Sequence, residues 1–210
     1  NSSFVSQIVD EKISIDQLIR SPFDTIAEQG IHLHAALPLP RDLYGKGRLN
    51  SQGFDLSNEN VLQQLQQELN RAAARQFQTA SVVNGKSRPV GAPQQVRNPA
   101  DHSDVVGSVS FADAALAQEA VAAAVAAQAA WNGTPAAERA ACLRRFADLL
   151  ERHAPALMML AVREAGKTLN NAIAEVREAV DFCRYYADEA EHTLPQGSQG
   201  VGTIVAISPW

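Results

Sequence analysis

The sequence predicts an α/β protein that is mostly helical and is preceded by an extended arm. Three observations support this class. Four helical patterns follow one another between residues 113 and 192, short β-branched runs precede them, and the apolar run 203–206 follows them. Segments of both kinds along one chain are typical of a sheet covered by helices.

The composition is that of an ordinary globular protein. Hydrophobic residues make up 46% of the chain and charged residues 20%, with a net charge of -5, which argues against a nucleic-acid site in this stretch. The two cysteines suggest no pairing and favour a reducing cytoplasm. The first residues lack the basic and apolar regions of a signal peptide. Polar residues interrupt the alanine-rich stretch 112–131, so it is not expected to span a membrane.

The first third of the chain predicts helices on either side of a connector. Pro22 suits the first turn of a short helix that ends before Gly30. The stretch 30–60 contains several prolines and glycines and is interpreted as a connector between units. Ser57 is predicted to cap a helix that runs to about Phe77. The expected buried face of that helix comprises Val61, Leu62, Leu65 and Leu69.

Short strands are predicted between residues 79 and 109. The dipeptide Asn84-Gly85 separates two short runs with β-branched residues, which predicts a hairpin with a type I′ turn. Two further strands are expected near Val96 and at 105–109, on either side of a polar turn.

The four helices that follow have recognisable starts. They begin near Asp113, Thr134, Pro155 and Thr168, and the last runs to about His192. The core face of the second is predicted to comprise Leu143, Phe146, Leu149 and Leu150. That of the fourth is predicted to comprise Leu169, Ile173, Val176, Val180 and Cys183.

The apolar run 203–206 predicts a buried strand that ends in the turn Ser208-Pro209-Trp210. Ligands of open parallel sheets bind beyond the carboxyl ends of the strands, so a ligand crevice is expected here. A buried parallel strand needs neighbours at its edges. We therefore expect this chain to be the first part of a larger α/β enzyme, ending where its active site begins.

Three short motifs have simpler explanations than chemistry. Gly166-Lys167-Thr168 resembles the end of a phosphate-binding loop, but Ala161 stands where that loop needs glycine, and a helix precedes it. We interpret it as a helix end and the next helix's cap. His32-Leu33-His34 lacks a third ligand, so no metal site is expected. Cys142 and Cys183 are interpreted as small buried side chains rather than nucleophiles.

Glu178 has two open interpretations. It shares one helix face with Phe182 and Tyr185, at i+4 and i+7, apart from the aliphatic stripe. A carboxylate beside aromatic rings can bind a cationic or amine-bearing ligand. The charged neighbours of Glu178 equally suit a solvated helix face, which periodicity alone favours.

Several runs together resemble the NAD(P)-dependent aldehyde dehydrogenase family. They are 106–109, the alanine-rich helix ending in Trp131, 137–139, 164–168 and 203–210. The runs 1–5, 38–45 and 163–187 resemble more narrowly its bacterial bifunctional proline-utilisation branch. That branch joins an FAD-dependent proline dehydrogenase barrel to an NAD-dependent glutamate-semialdehyde dehydrogenase, and ordinary aldehyde dehydrogenases lack the first two of these runs.

The resemblance implies three segments. Residues 1–29 would be the tail of the barrel domain, 30–77 an interdomain arm with a helix, and 78–210 the mostly helical N-terminal part of a Rossmann-type aldehyde dehydrogenase domain. The loop 194–202 departs from the family pattern in composition, which leaves its conformation open.

The resemblance also implies binding residues. The residues Ile207, Ser208, Pro209 and Trp210 match the segment that lines the NAD site, largely through backbone groups. Glu178 matches a position that faces the amine end of the substrate. The family's catalytic cysteine, oxyanion-binding asparagine and glutamate base match nothing up to Trp210, so no catalytic residue is expected here.

For the parent protein the resemblance implies NAD, FAD, proline and glutamate semialdehyde as ligands, a homo-oligomer, and a cytoplasmic location with peripheral contact at the inner membrane face. Neither cofactor is expected to bind well to this chain alone. Two alternatives stay open. One is another aldehyde dehydrogenase, and the other is a helical interaction module without catalysis.

Overall fold

The computed structural model describes residues 8–30, 37–45, 47–194 and 197–208. It divides the chain into two units, Asn1–Leu39 and Pro40–Trp210. Our expectations for His32, His34, Pro209 and Trp210 lie outside the described residues. The boundaries at 29 and 77 stay predictions.

The described part of the first unit contains two short helices, α1 (Ile15–Leu18) and α2 (Pro22–Gln29). Ser14 caps α1 by a reciprocal pair of hydrogen bonds with Gln17, of 3.3 and 3.2 Å. The Ser21 side chain caps α2, with Pro22 in the first turn as predicted. Both helices form from local signals at their N-termini.

The second unit places a small sheet between one helix and a series of four helices. Its helical segments are a 3₁₀ turn (Pro40–Asp42), α3 (Glu59–Ala73), α4 (Ala114–Gly133), α5 (Ala136–Arg152), α6 (Ala154–Ala165) and α7 (Leu169–His192). Its strands are β1 (Phe77–Val83), β2 (Lys86–Arg88), β3 (Gln94–Arg97) and β4 (Val105–Ser110). The predicted α/β class is confirmed.

The four strands form one mixed sheet in the order β2-β1-β4-β3. β1 and β4 are parallel, and the other two pairs are antiparallel. The β1–β2 turn has positive φ at both central residues, 50° at Asn84 and 71° at Gly85, as a type I′ turn requires. The predicted hairpin is therefore confirmed.

Gly107 allows β1 and β4 to approach each other. It pairs with Phe77 in the parallel register. A Cβ atom on residue 107 would lie 2.1 Å from the Phe77 carbonyl oxygen, far inside van der Waals contact. A side chain at this position would force the two strands apart.

The apolar core lies between α3, α6 and α7. Its buried residues are Leu65, Leu69, Ala154, Met158 and Ala172, with Ile173 and Val176 packed against them. The helix predicted from Ser57 to Phe77 is shorter than expected. Asn58 caps it, because the Ser57 hydroxyl bonds instead to Asp55, and the chain extends into β1 at Phe77.

The predicted core face of α5 is wrong in part. Phe146 and Leu149 are exposed, whereas Ala140 and Ala147 are completely buried. α5 and α7 pack extensively against each other. Small residues at this contact let the helices approach closely, so the larger side chains point away from it.

The predicted final strand is also wrong for the described residues. Residues 203–208 form no strand and are exposed, with Ile204 and Val205 each more than 70% accessible. A parallel strand forms only through hydrogen bonds to its neighbours. The described residues provide no such neighbour for this run.

Arg163 of α6 ties the helices to the sheet. Its side chain is 10% exposed and bonds both oxygens of Asp104, at 2.9 and 2.5 Å. It also donates to the Arg75 carbonyl, at the end of α3, and to the Val105 carbonyl in β4. The hydrogen bonds from Arg163 and Asn98 lower the pKa of Asp104 to about 2.

The substitution Gly107→Ala should lower the free energy of unfolding by about 1–3 kcal/mol or more, because the added methyl group overlaps the facing strand. Urea denaturation followed by circular dichroism measures the loss. Gly133→Ala is the matched control, since a Cβ there meets nothing within 4 Å, and it should change stability by less than about 1 kcal/mol. Equal effects of the two substitutions would contradict the close approach at Gly107.

Folding stability should fall as the pH drops from about 4, the ordinary range of an aspartate, to about 2. Unfolded Asp104 binds a proton in this window and folded Asp104 does not, so acid favours unfolding. Other carboxylates titrate in the same pH range. The pH dependence of the free energy of unfolding is therefore compared between the unchanged protein and Asp104→Asn. The variant should be less stable at neutral pH, and the gap should close toward pH 2. A gap that is constant with pH would refute this linkage.

Candidate functional site

A short segment of the connector is held between α5 and α7. The Ser51 N–H and hydroxyl donate to the two oxygens of Asp181, at 2.7 and 2.6 Å. Arg177 donates to the Ser51 hydroxyl at 3.1 Å, and the Gln52 N–H donates to Glu151 at 2.7 Å. We call residues 50–52 with these partners the connector clamp. It satisfies backbone groups that would otherwise be desolvated without partners.

Arg184 is the buried centre of the clamp. Its side chain is 6% exposed and bonds both oxygens of Glu151, at 3.0 and 2.8 Å. It also donates to Asp148 at 3.1 Å and to the Asn50 carbonyl at 3.3 Å. A single guanidinium thus joins α7 to α5 and to the connector.

The charges in the clamp stabilise one another. Burial by itself raises the pKa of Glu151, but hydrogen bonds from Arg184 and the Gln52 N–H outweigh burial, so the net pKa lies below its usual range. The carboxylate is therefore charged at neutral pH. A charged, bidentate pair is the strong form of this interaction.

An adjacent side of α7 is more exposed. Glu178 is exposed, and Phe182 and Tyr185 on the same face are 49% and 41% exposed. Phe182 stacks on Tyr186 with ring centroids 5.9 Å apart, and Tyr185 meets Tyr186 edge-on at 5.2 Å. We call Glu178, Phe182, Tyr185 and Tyr186 the aromatic face. It presents one carboxylate beside a cluster of rings.

The clamp fixes the rotation of α7 beneath this face. Arg177, Asp181 and Arg184 flank Glu178 in sequence and all bond to the connector. With 3.6 residues per turn, these three side chains project within about 60° of one another, and Glu178 projects about 60–120° round the helix from them. Anchoring these three side chains therefore directs Glu178 and Phe182 away from the connector segment.

The described binding residues from the sequence prediction lie in different parts of the chain. Ile207 is 89% exposed and, like Ser208, lies in no strand. Glu178 lies on α7, in a segment with its own capped start, since the Thr168 side chain accepts from the Asn171 N–H. Gly166 ends α6 in a left-handed conformation, so Gly166-Lys167-Thr168 joins two helices as predicted.

The two cysteines differ from each other. Cys142 is exposed, so its predicted burial is wrong, and the Arg145 guanidinium lies 3.1 Å from its sulfur. Cys183 is half-buried, and burial raises the pKa of its thiol, which keeps it protonated at neutral pH. In the described part of the chain, no group of three His, Cys, Asp or Glu side chains could hold a metal ion. No described helix is both long and apolar enough to cross a membrane.

The connector clamp was not predicted from the sequence. Its one visible signal was Arg184, which follows Val180 by one helical turn on the predicted apolar side of α7. A charged residue on a core face needs a buried partner. The sequence offers no local cue that this partner includes Ser51 and Asn50, more than 120 residues earlier.

Comparison with known proteins gives a consistent result. The aldehyde dehydrogenase family model matches residues 86–210. The bifunctional protein PutA of Klebsiella aerogenes is 42% identical over 100% of this chain, which covers 16% of that protein. The chain spans about a sixth of the length of the PutA proteins it matches.

Two solved structures of proteins related to PutA or to aldehyde dehydrogenases resemble this chain in fold. The crystal structure of PutA from Bdellovibrio bacteriovorus, inactivated by N-propargylglycine, superposes with a TM-score of 0.68 at 26% identity, covering 91% of this chain and 19% of that one. The 1-pyrroline-5-carboxylate dehydrogenase from Thermus with bound NAD superposes with a TM-score of 0.65 at 27% identity, covering 76% of this chain and 30% of that one.

Replacing Arg184 with methionine should lower the free energy of unfolding by about 3–5 kcal/mol, because Glu151 and the Asn50 carbonyl lose their buried partner. Arg144→Met is the matched control. Arg144 also bonds two carboxylates, Asp188 and Glu191, but its side chain is 39% exposed, so about 1 kcal/mol or less is expected. Urea titrations of both variants decide the point. A larger loss at Arg144 would refute the central role of Arg184.

Proposed function

Since this chain belongs to the aldehyde dehydrogenase family, we propose that the protein oxidises glutamate semialdehyde to glutamate with NAD. We further propose that it does so within a bifunctional enzyme that first oxidises proline with FAD. Two findings support this. The match to PutA extends over the whole chain, including the residues before 86 that the family model leaves out. A 1-pyrroline-5-carboxylate dehydrogenase also shares the fold.

The aromatic face is the observation that carries this proposal. Glutamate semialdehyde has an amino group at the end opposite its aldehyde, and an ammonium binds well to a carboxylate flanked by rings. Glu178 supplies the carboxylate, and Phe182 and Tyr185 supply rings on the same helix face. In this proposal, Glu178 binds the amino group of glutamate semialdehyde and so orients the aldehyde end away from α7.

We propose that residues 207–210 contact NAD through their backbone. Ile207 and Ser208 are exposed and lie outside any strand, so a ligand can reach them. When bound there, NAD would supply the acceptor for the hydride of the aldehyde. This chain's part is to hold the nucleotide at the edge of the sheet that these residues adjoin in the dinucleotide fold.

The reaction also needs a thiolate nucleophile, and we assign that role to neither cysteine of this chain. The thiol of Cys183 is held protonated by burial. Cys142 lies on α5, on a different helix from the aromatic face. In this proposal the stretch described here binds and orients the ligands and contributes no catalytic residue.

We also propose that the whole enzyme is a cytoplasmic homo-oligomer with peripheral contact at the membrane. The exposed apolar side chains of α4 support an association surface. Val121, Val125 and Trp131 are each about half exposed or more. Only Leu116 of this helix is buried among the described residues.

In the whole enzyme, Glu178→Ala should raise the KM for glutamate semialdehyde by about 10- to 100-fold, since a charge-assisted hydrogen bond is worth about 1.5–3 kcal/mol. The KM for NAD should not change. Steady-state kinetics of the dehydrogenase step measures both constants.

Glu189→Ala is the matched control. Glu189 lies on the same side of α7 three helical turns further on, so its removal takes away the same charge at a distance. It should leave the KM for the semialdehyde unchanged. An unchanged KM in Glu178→Ala would exclude the proposed role of Glu178.

A further inference from the structure

Arg48 of the connector lies between two aromatic rings. Its guanidinium carbon is 4.1 Å from the ring centroid of Tyr44 and 5.4 Å from that of Tyr185. Both distances are within the range of a cation–π contact. Tyr44 belongs to the connector and Tyr185 to α7, so Arg48 joins the two.

This contact continues into the aromatic face. Tyr185 meets Tyr186 edge-on, and Tyr186 stacks on Phe182. A continuous series of contacts therefore runs from Tyr44 through Arg48 to Phe182, one helical turn from Glu178. The connector thus reaches the proposed ligand face of α7.

Arg48 contacts aromatic rings rather than carboxylates. Arg48 lines a pocket of about 260 Å³ together with Asp148 and Asp188. Those carboxylates bond to Arg184 and Arg144 instead. Among the described residues Arg48 forms no ion pair, so its planar guanidinium stays with the rings.

The backbone that carries Arg48 is fixed. Asn50, two residues later, is buried and bonds to the Pro40 and Arg41 carbonyls at 2.9 and 2.8 Å. Ser51 is held by Asp181 in the connector clamp. The residues that directly follow Arg48 are therefore anchored to α7. This anchoring limits the positions that the Arg48 side chain can take.

We propose that Arg48 is a positioning residue for the amine end of the substrate. By stacking on Tyr185 it holds that ring in place beside Glu178, so the aromatic wall of the binding site is formed before the substrate arrives. Preorganisation of this kind reduces the entropy lost on binding. The inference rests on the proposed function, and it makes the connector part of substrate recognition.

The test uses the whole enzyme with Arg48→Met, which keeps the length of the side chain and removes the charge and the planar group. The KM for glutamate semialdehyde should rise about fivefold, the size of one cation–π contact. The kcat and the KM for NAD should stay unchanged. Glutarate semialdehyde, which has the same carbon chain without the amine, should show no change in KM.

Arg71→Met is the charge-matched control, because Arg71 is exposed on α3 and takes part in no ring contact among the described residues. It should leave all constants unchanged. Arg48→Lys keeps the charge without the planar stack and should give an intermediate KM. It also provides a second variant if the methionine variant is unstable.

A double-mutant cycle tests whether Arg48 acts through Tyr185. Tyr185→Leu should raise the KM, Tyr185→Phe should not, and Arg48→Met should add nothing in the Tyr185→Leu background. Additive effects, equal effects on both aldehydes, or no effect of Arg48→Met would overturn the inference.

If Glu178→Ala raises the KM and Arg48→Met does not, only this inference fails. If Glu178→Ala has no effect, the proposed function itself fails.

Discussion

The bidentate contact between Arg184 and Glu151 holds the second unit together. It joins α5 to α7, and the same two side chains bind the backbone of residues 50–52. A buried charge is tolerated only when its hydrogen-bonding capacity is used. Here the connector backbone supplies further hydrogen-bond partners of Arg184 and Glu151. The position of the connector and the packing of α5 against α7 therefore depend on each other.

α7 consequently has two different sides. One side is committed to internal contacts through Arg177, Asp181 and Arg184, whereas the other carries exposed rings around Glu178. Binding groups work best on rigid elements whose own orientation is fixed. The exposed side carries the proposed ligand-binding groups, and the contacts of the buried side fix the rotation of the helix that bears them.

Local signals predicted the parts of the fold that depend on local interactions. The Asn84-Gly85 turn, Pro22 in the first turn of α2 and the helix starts at Asp113 and Thr168 follow from residues a few positions apart. The α5 core face was partly mispredicted, because periodicity favours large side chains and the contact with α7 uses alanines. Residues 203–206 were mispredicted because a strand depends on neighbours that its own sequence does not encode. For the candidate site, Glu178 and its rings were found by helical spacing, but the clamp was not, since its partners are distant in sequence.

The long sequence separation between the connector residues of the clamp and their partners on α7 has a consequence for folding. Ser51 and Asp181 are 130 positions apart, and contacts that close such long loops form after local helices and hairpins have formed. During synthesis, residues 50–52 leave the ribosome long before α7 exists. Their backbone groups must stay hydrated until then, and the polar, proline-rich and glycine-rich character of the surrounding connector suits that delay. The connector is therefore expected to dock late, as the step that completes the packing of α5 and α7.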